Sequence, residues 1–351
     1  GARPIRACAR GSSGCIKRSS RLTNTMDKIS VGIIGAGYIG GVHASVLMRD
    51  ERVRLAKIQD ISEVRAEQLA RTTGASVAAN AHELIESVDA VYITTPNTKH
   101  TELAVAATQA GKHVFCEKPM ATSLEDARRV LEAAQGASGV FQVGHNRRFA
   151  PVYEMLRRIL REEGEPHSAH VKMNRGELIN PEWVGDAATT GGFLYETTIH
   201  MFDMMRFLFG EVSELSAIGS RHEYGEVDDF SVLLRFESGL HATLCSSADA
   251  SWLFPFERVE VFCHHQTIVT REMESLTLSE GLTGQHRTHS MQQLAKEEKW
   301  GYAQEDRAFI DAIVDETEAP VTARDGYKSV ELVDACYRAV GTTERINFNS
   351  V

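Results

Sequence analysis

The sequence predicts an α/β fold in which a doubly wound parallel sheet is followed by a second domain built on an antiparallel sheet. Between residues 29 and 144, short apolar runs alternate with amphipathic helical segments. Such alternation requires crossover connections, and therefore a parallel sheet that is covered on both faces. After about residue 165, strand-like segments follow one another without helices between them, which indicates an antiparallel sheet.

The first half contains five predicted strands and four predicted helices. The strands are short and rich in β-branched residues, and each helix follows a strand directly. We predict strands at 29–34, 54–60, 90–94, 113–116 and 141–144, and helices at 39–48, 62–73, 99–110 and 123–135.

The second half contains longer strands and ends in helices. The step Glu237-Ser238-Gly239 separates two strand-like runs and is typical of a hairpin. We predict strands at 168–174, 211–220, 228–237, 240–247 and 258–263, and helices at 303–316 and 326–339. The domain break is expected near 146–151, which divides the chain into a first domain over 26–147 and a second over 148–351.

Length and composition exclude several classes of protein. A chain of 351 residues suggests two domains at about 150 residues each. The net charge of −10 argues against a nucleic-acid-binding surface. No apolar run approaches the roughly 18–20 residues that span a bilayer, so we do not expect a membrane protein.

Residues 1–25 differ from the rest because they are basic, rich in serine and free of acidic residues. A transit peptide, a cloning remnant and upstream sequence translated from a misassigned start would all have this composition. We expect this segment to be disordered and to lie outside the fold. Since no secretory signal and no paired-cysteine motif is present, we expect a cytoplasmic protein.

Residues 35–40 read Gly-Ala-Gly-Tyr-Ile-Gly, directly after the first strand and at the start of a helix. In this context Gly35 permits a tight turn, Gly37 allows a pyrophosphate close to the backbone, and Gly40 allows close packing of the helix. The first-turn N–H groups near Tyr38 and Ile39 would face the phosphates.

Asp60 ends the second strand, where a carboxylate accepts hydrogen bonds from the adenosine ribose and repels a 2′-phosphate. Because the next residues, Ile61 and Ser62, are not basic, we predict NAD in preference to NADP. The alternative is that the glycines only form a turn and that Asp60 only caps a helix.

Two further segments contain candidate catalytic side chains. Lys118 follows the strand at 113–116 at its carboxyl end and precedes Pro119, so its side chain is expected to project into the crevice. An ammonium group there would stabilise developing alkoxide charge, although a solvated surface lysine is the alternative. If residues 191–203 are helical, Glu196 and His200 share one face, so that the carboxylate orients an imidazole base or the pair only packs.

With these motifs the chain resembles the Gfo/Idh/MocA family of NAD(P)-dependent oxidoreductases, which includes inositol and sugar dehydrogenases. The motifs are GAGYIGGVH at 35–43, TTPNTKH at 94–100, AGKHVFCEKP at 110–119, NRRF at 146–149, GGFLYETTIHMFD at 191–203 and DGYKSVEL at 325–332. The resemblance implies an N-terminal Rossmann domain and a C-terminal α/β domain with an open, mostly antiparallel sheet.

The resemblance also implies roles for individual residues. Lys118 and His200 match the family's catalytic pair. The residues that would border the dinucleotide are Thr94, Pro96, Asn97, His100 and Glu117. The family usually has Asp four residues before the histidine; Glu196 stands there instead, and its carboxylate lies about one methylene further out. The alternatives are that Glu196 takes the same role and that it marks a substrate subgroup.

We therefore expect an NAD-dependent dehydrogenase that acts on a secondary alcohol of a sugar, inositol or related polyol. His200 would take the hydroxyl proton, Lys118 would stabilise the oxygen, and Glu196 would orient His200. The alternatives are a non-catalytic dinucleotide-sensing regulator on the same scaffold, and a keto-sugar or imine reductase.

The remaining expectations concern the substrate, metals and oligomeric state. No metal site is expected, because the histidine pairs lack further ligands at zinc spacing. An exposed sheet face promotes association, so we expect a homodimer or homotetramer formed through the C-terminal sheet. The candidate substrate contacts in the second domain are Arg148, Asn174, Trp183 and Tyr302, of which Trp183 could equally be a core residue.

Overall fold

The computed structural model describes residues 28–162, 164–175, 182–251 and 256–348. The expectation for residues 1–25 lies outside these ranges. The first part of the chain forms a six-stranded parallel sheet in the order β3-β2-β1-β4-β5-β6. Its strands are β1 Ile29–Ile34, β2 Val53–Gln59, β3 Ser76–Val77, β4 Ala90–Ile93, β5 His113–Glu117 and β6 Phe141–Gly144.

Helices connect these strands and cover both faces of the sheet. They are α1 Tyr38–Leu47, α2 Glu63–Thr73, α3 Ala81–Ser87, α4 His100–Gln109 and α5 Leu124–Gln135. The central strands are apolar on both faces, and Ile33, Val91 and Ile93 are completely buried, as expected for a doubly covered parallel sheet. The predicted parallel sheet is therefore confirmed; strand β3 and helix α3 were not predicted.

A nine-stranded sheet forms most of the second part, in the order β14-β13-β12-β11-β7-β10-β9-β8-β15. All its described pairings are antiparallel except β7 with β10. The strands are β7 Ser168–Met173, β8 Val212–Ser220, β9 Asp229–Phe236, β10 His241–Ser247, β11 Glu257–Cys263, β12 Gln266–Arg271, β13 Ser275–Glu280, β14 Gln285–Ser290 and β15 Ile346–Asn347.

The helices of the second part pack against this sheet, against one another and against the first part of the chain. They are α6 Pro151–Glu162, α7 Ala187–Thr190, α8 Ile199–Phe209, α9 Lys296–Lys299, α10 Tyr302–Val314 and α11 Ala323–Thr342. The predicted antiparallel sheet is confirmed, but the sequence did not predict helix α6 or strands β12 to β14. Helix α6 begins at Pro151, inside the segment expected to be a domain break; proline is well tolerated in a first helical turn.

Two late helices, α10 and α11, pack against the first part of the chain. Phe309 and Ile310 of α10 belong to the same buried cluster as Val31, Tyr92 and Phe115 from strands β1, β4 and β5. Helix α11 packs against α5 and strand β6. The chain therefore returns to the first domain after it has formed the second, and residues near 305 lie close to residues near 43 and 117.

Candidate active site

The glycine-rich turn after β1 is closely fitted against the end of β4. Gly35 has a φ of +105°, and a Cβ placed there would lie 2.6 Å from the Thr94 backbone. A Cβ on Gly40 would overlap the Gly35 carbonyl oxygen. The Thr94 hydroxyl donates to that same oxygen at 2.7 Å. Only glycine fits both positions, as the sequence predicted for a dinucleotide turn.

Helix α1 begins at this turn with an open N-terminus. Gly37 is its N-cap and provides no side-chain hydrogen bond, and no described atom lies within 4 Å of a Cβ placed there. First-turn N–H groups without a side-chain cap are suited to bind an anion. The residues of this turn, with Tyr38 and Ile39 in the first turn of the helix, therefore fit the pyrophosphate of a dinucleotide.

Asp60 lies beside this turn, directly after β2. Its carboxylate accepts the Ala36 N–H at 2.8 Å, the Ser62 N–H at 2.7 Å and the Arg65 guanidinium at 2.7 Å. Although burial opposes it, these hydrogen bonds, above all the one from Arg65, lower the pKa of Asp60. Arg65 was not predicted as a partner of Asp60, because the prediction rested on Ile61 and Ser62, the two residues that follow the aspartate.

The loop after β4 connects the two parts of the chain. Pro96 precedes a 3₁₀ turn, and the Asn97 side-chain amide donates to the Thr190 carbonyl at 3.0 Å and to the Glu196 carboxylate at 2.8 Å. The ring nitrogens of His100 each lie 2.7 Å from a backbone carbonyl oxygen, of Thr95 and of Pro119. His100 thus links this loop to the segment that contains Lys118.

Lys118 lies immediately after β5, and its ammonium group points toward the second domain. Nζ donates to the Glu196 carbonyl at 2.8 Å and lies 3.9 Å from the Glu196 carboxylate. Burial lowers the pKa of Lys118, and the charges of Glu196 and Glu117 partly offset that effect. The lysine is therefore enclosed and paired with acids, not a solvated surface residue.

His200 is the second residue of α8 and follows a π-helical turn, Leu194–Thr198. Its side chain is buried, and Nδ1 makes no hydrogen bond to any described residue. Burial, reinforced by the positive charges of Arg147 and Lys118, holds the pKa of His200 well below its usual value. The imidazole is neutral at neutral pH.

Glu196 does not orient His200, which corrects the expectation from sequence. Its carboxylate is hydrogen-bonded to Asn97 and lies beside the Lys118 ammonium. The four-residue spacing within one helical stretch suggested a contact, but Asn97 and Lys118 come from two strand ends of the other domain. These two groups, which are distant in sequence, occupy the carboxylate in place of the histidine.

Lys118 and His200 are nevertheless brought to one place. Lys118 Nζ is bonded to the backbone of the turn that leads into His200, and the lysine charge acts on the imidazole. This place lies at the carboxyl ends of the parallel strands, where open α/β sheets bind ligands. A buried cation and a neutral imidazole at one crevice can stabilise an alkoxide and accept a proton.

Among the candidate substrate contacts, Arg148 is not supported. Its guanidinium is engaged by Asp203 at 2.8 and 2.6 Å and by Asp325 at 3.0 Å, inside the protein. Asn174 follows β7, and its side-chain oxygen is buried without a hydrogen bond to a described residue. Trp183 is 37% exposed, and Tyr302 at the start of α10 lies edge-on to His43.

Within residues 28–162, 164–175, 182–251 and 256–348, no group of three or more His, Cys, Asp or Glu side chains is arranged to hold a metal ion. None of the helices there combines the length and the apolar character needed to cross a bilayer.

Comparison with known proteins identifies the family. Residues 29–145 match the model of an oxidoreductase family with an NAD-binding Rossmann fold, and residues 153–269 match the GFO/IDH/MocA C-terminal domain. An inositol 2-dehydrogenase of Rhizobium meliloti is 30% identical over 331 residues, covering 91% of this chain and 99% of the relative. A myo-inositol 2-dehydrogenase of Thermotoga maritima is 35% identical over 242 residues, covering 66% and 72%.

Solved structures show the same architecture. The structure of levoglucosan dehydrogenase in complex with NADH superposes with a TM-score of 0.84 at 21% identity, covering 93% of this chain and 100% of the other. At that identity the likeness shows the fold. Together with the matched models and the inositol dehydrogenases, it establishes that the chain belongs to the GFO/IDH/MocA family of NAD-binding oxidoreductases.

Proposed function

We propose that the protein is an NAD-dependent dehydrogenase that acts on a secondary alcohol of a sugar, inositol or related polyol. The observation that carries the proposal is the meeting of Lys118 with the turn that leads into His200, at the carboxyl end of the parallel sheet. The inositol dehydrogenases among the relatives support the substrate class.

His200 is the proposed base. Because its pKa is held well below the usual value, the imidazole is unprotonated at neutral pH and can take the hydroxyl proton. NAD, when bound, would accept the hydride from the carbinol carbon. As the hydroxyl loses its proton, the Lys118 ammonium stabilises the oxygen, in a site where burial strengthens that interaction.

Glu196 is proposed to hold Lys118. Asn97 fixes the carboxylate, and the carboxylate raises the pKa of the neighbouring ammonium against the effect of burial. The acid thereby keeps Lys118 charged and directed toward the substrate oxygen. The glycine-rich turn, Asp60 and the loop from Thr94 to His100, with Glu117, are proposed to bind the dinucleotide.

The second domain is proposed to associate with another copy of itself. Ile218 on β8 and Leu233 on β9 are 70% and 54% exposed, although both are large and apolar. A cytoplasmic homodimer or homotetramer that buries this face would remove them from water. Equilibrium sedimentation should give a dimer or tetramer, and Leu233→Lys should shift the protein toward monomer. A wild-type monomer would contradict this part of the proposal.

The function is tested by NADH formation on a panel of inositols and sugars. Lys118→Ala and His200→Ala should each lower kcat by at least about 10²-fold. Lys112→Ala, at the exposed start of the same β5 segment, should not change it. NADH binding measured by fluorescence shows that each variant is folded.

The outcomes separate the candidate functions. Near-normal turnover in both variants would contradict the catalytic assignment. NADH binding without turnover on any polyol would favour a dinucleotide-sensing regulator. Turnover only with NADH and keto-sugars or imines would assign the site to the opposite direction of hydride transfer.

A further inference from the structure

A buried polar cluster is linked to Lys118 through Glu117. At its centre is His43 of helix α1, whose side chain is completely buried. Nδ1 lies 2.7 Å from the Asp306 carboxylate, and Nε2 lies 3.1 Å from the Glu117 carboxylate. The imidazole therefore bridges an acid of the first domain and an acid of helix α10. The second acid, Asp306, lies 263 residues after His43 in the chain.

This geometry favours a charged ring. A neutral imidazole has one N–H, whereas here each ring nitrogen faces a carboxyl oxygen, so two ionised carboxylates are both bonded only if both nitrogens donate. Although burial lowers it, the charges of and hydrogen bonds to Asp306 and Glu117 raise the pKa of His43 well above its usual value. An imidazolium between two carboxylates pairs both of its N–H groups with acceptors away from water, while the second Asp306 oxygen has no hydrogen bond to a described residue.

The bridge leads directly to Lys118. While Oε1 of Glu117 faces His43, Oε2 accepts the backbone N–H of Lys118 at 3.0 Å. Asp306, His43, Glu117 and Lys118 thus form one continuous series of hydrogen bonds. Glu117 is adjacent to Lys118 in sequence, so a rotation of its side chain would disturb the peptide that directs the ammonium.

The surroundings of the cluster are apolar and acidic. Phe115 and Tyr302 lie edge-on to the His43 ring, with centroids 4.9 and 5.9 Å away, and Tyr92 lies 5.4 Å away. Glu305 is also buried here, and neither carboxyl oxygen is hydrogen-bonded to a described residue. Burial and the charge of Glu117 raise the pKa of Glu305 well above its usual value, so it is a neutral acid.

We propose that His43 and Asp306 are positioning residues for catalysis, which hold Glu117 so that it fixes the backbone and the ammonium direction of Lys118. The inference rests on the proposed role of Lys118. It also means that helix α10, which comes late in the chain, helps to set the geometry of a residue in the first domain. Neither positioning residue contacts the reacting atoms.

The first test is His43→Gln. A glutamine can donate to only one of the two acids with its single amide nitrogen in that position, so the series is broken. We expect kcat per NADH-binding site to fall by about 10- to 100-fold, the scale of a small misplacement of a catalytic group. The dissociation constant for NADH is measured in parallel, because Glu117 is also proposed to border the dinucleotide. At saturating cofactor the loss of kcat should remain, since the cluster acts on the placement of the lysine.

The second test is Asp306→Asn, which keeps a hydrogen-bond acceptor for His43 but removes a charge. The pKa of His43 should then fall, since one of the anions that raises it is gone. As pH rises through that lowered pKa, the neutral ring can no longer donate to both partners. The variant should therefore lose kcat with rising pH over a range in which the wild type is level.

Asp311→Asn is the matched control, on the same helix. Asp311 is about half exposed and pairs with Arg52, so its kcat profile should follow the wild type. A role of Asp306 in stability alone would lower the amount of folded protein, measured by NADH-binding stoichiometry, without creating a new pH-dependent limb.

The outcomes distinguish this inference from the proposed function. If Lys118→Ala keeps normal turnover, the proposed role of Lys118 fails and the inference fails with it, whereas the catalytic assignment as a whole fails only if His200→Ala keeps it too. If Lys118→Ala is inactive while His43→Gln retains turnover within twofold of the wild type, only the inference fails. It fails likewise if the Asp306→Asn pH profile superposes on that of the wild type.

Discussion

Two buried histidines, one linked to Lys118 through Glu117 and the other influenced by the lysine charge, have pKa values that are shifted in opposite directions. His43 lies between Asp306 and Glu117, and its pKa is raised although burial acts against it. His200 is 5% exposed, and the neighbouring cations Arg147 and Lys118 add to the effect of burial, so its pKa is lowered. The same side chain, equally removed from water, is an imidazolium in one place and a neutral base in the other.

This difference shows which contacts determine the protonation of the two rings. Burial lowers the pKa of both rings, so the sign of the final shift depends on the charges of their partners. Acids on the first-domain side keep a positive ring that stabilises the strand end. Cations around His200 keep its ring free to accept a proton. Lys118 lies between the two environments and is paired with acids of both domains, Glu117 and Glu196.

The largest effect should be on the free energy of unfolding, when the ion pair between Arg147, which lies near His200, and Glu257 is broken. Arg147 donates twice to the Glu257 carboxylate, at 3.0 and 2.9 Å, and both groups are buried. Glu257→Gln would leave a buried guanidinium uncompensated. We expect the free energy of unfolding to fall by about 3–5 kcal/mol, measured by urea denaturation.

Glu260→Gln, on the same strand β11, is the control for that variant. Glu260 pairs with a partly exposed Arg258 at 3.0 Å, so its loss should change the free energy of unfolding by less than about 1 kcal/mol. Equal losses in the two variants would show that the buried pair has no special role.

The next effect is on the pH dependence of turnover. The active form of His200 is neutral, so kcat/KM should fall only when pH drops through its lowered pKa. We expect the acid limb below the ordinary histidine value of about 6.5. A pH–rate profile at constant ionic strength measures it, and His113→Gln, at the other end of β5, should leave the limb in place. An acid limb at or above about pH 6.5 would contradict the assignment of His200 as a base that the neighbouring cations keep neutral.

The smallest effect should follow from shortening the acid that holds Lys118. In Glu196→Asp the carboxylate moves back by one methylene and loses the 2.8 Å hydrogen bond from Asn97. We expect a loss of about 1 kcal/mol, or about fivefold in kcat, as for one hydrogen bond. Unchanged turnover in this variant would show that the Asn97 contact does not direct Lys118.

Local patterns in the sequence predicted most of the fold and the glycine-rich turn. The apolar run of β1 and the glycines at 35 and 40 can each be recognised from a few neighbouring residues in the sequence. Strand β14 was missed because Gln285–Ser290 is polar throughout and exposed, and so shows no alternation. Strand β13 does alternate, with Leu276 and Leu278 buried between polar residues, so this signal was present in the sequence.

The site depends more on contacts between distant residues. Nothing near His43 in the sequence indicates its partners, because Glu117 and Asp306 reach it only through the folding of α10 onto the first sheet. For the same reason the spacing of Glu196 and His200 suggested a contact, while Asn97 and Lys118 from the other domain take the carboxylate. Arg148 was assigned to the substrate because its internal partners, Asp203 and Asp325, are far away in sequence.

The most direct test of the opposite charge states is nuclear magnetic resonance of the histidine ring nitrogens in nitrogen-15-labelled protein. His43→Gln and His200→Gln, each lacking one set of signals, assign the two rings. At pH 7 we expect both ring nitrogens of His43 to be protonated and one ring nitrogen of His200 to be unprotonated. A neutral His43 or a doubly protonated His200 at that pH would contradict it.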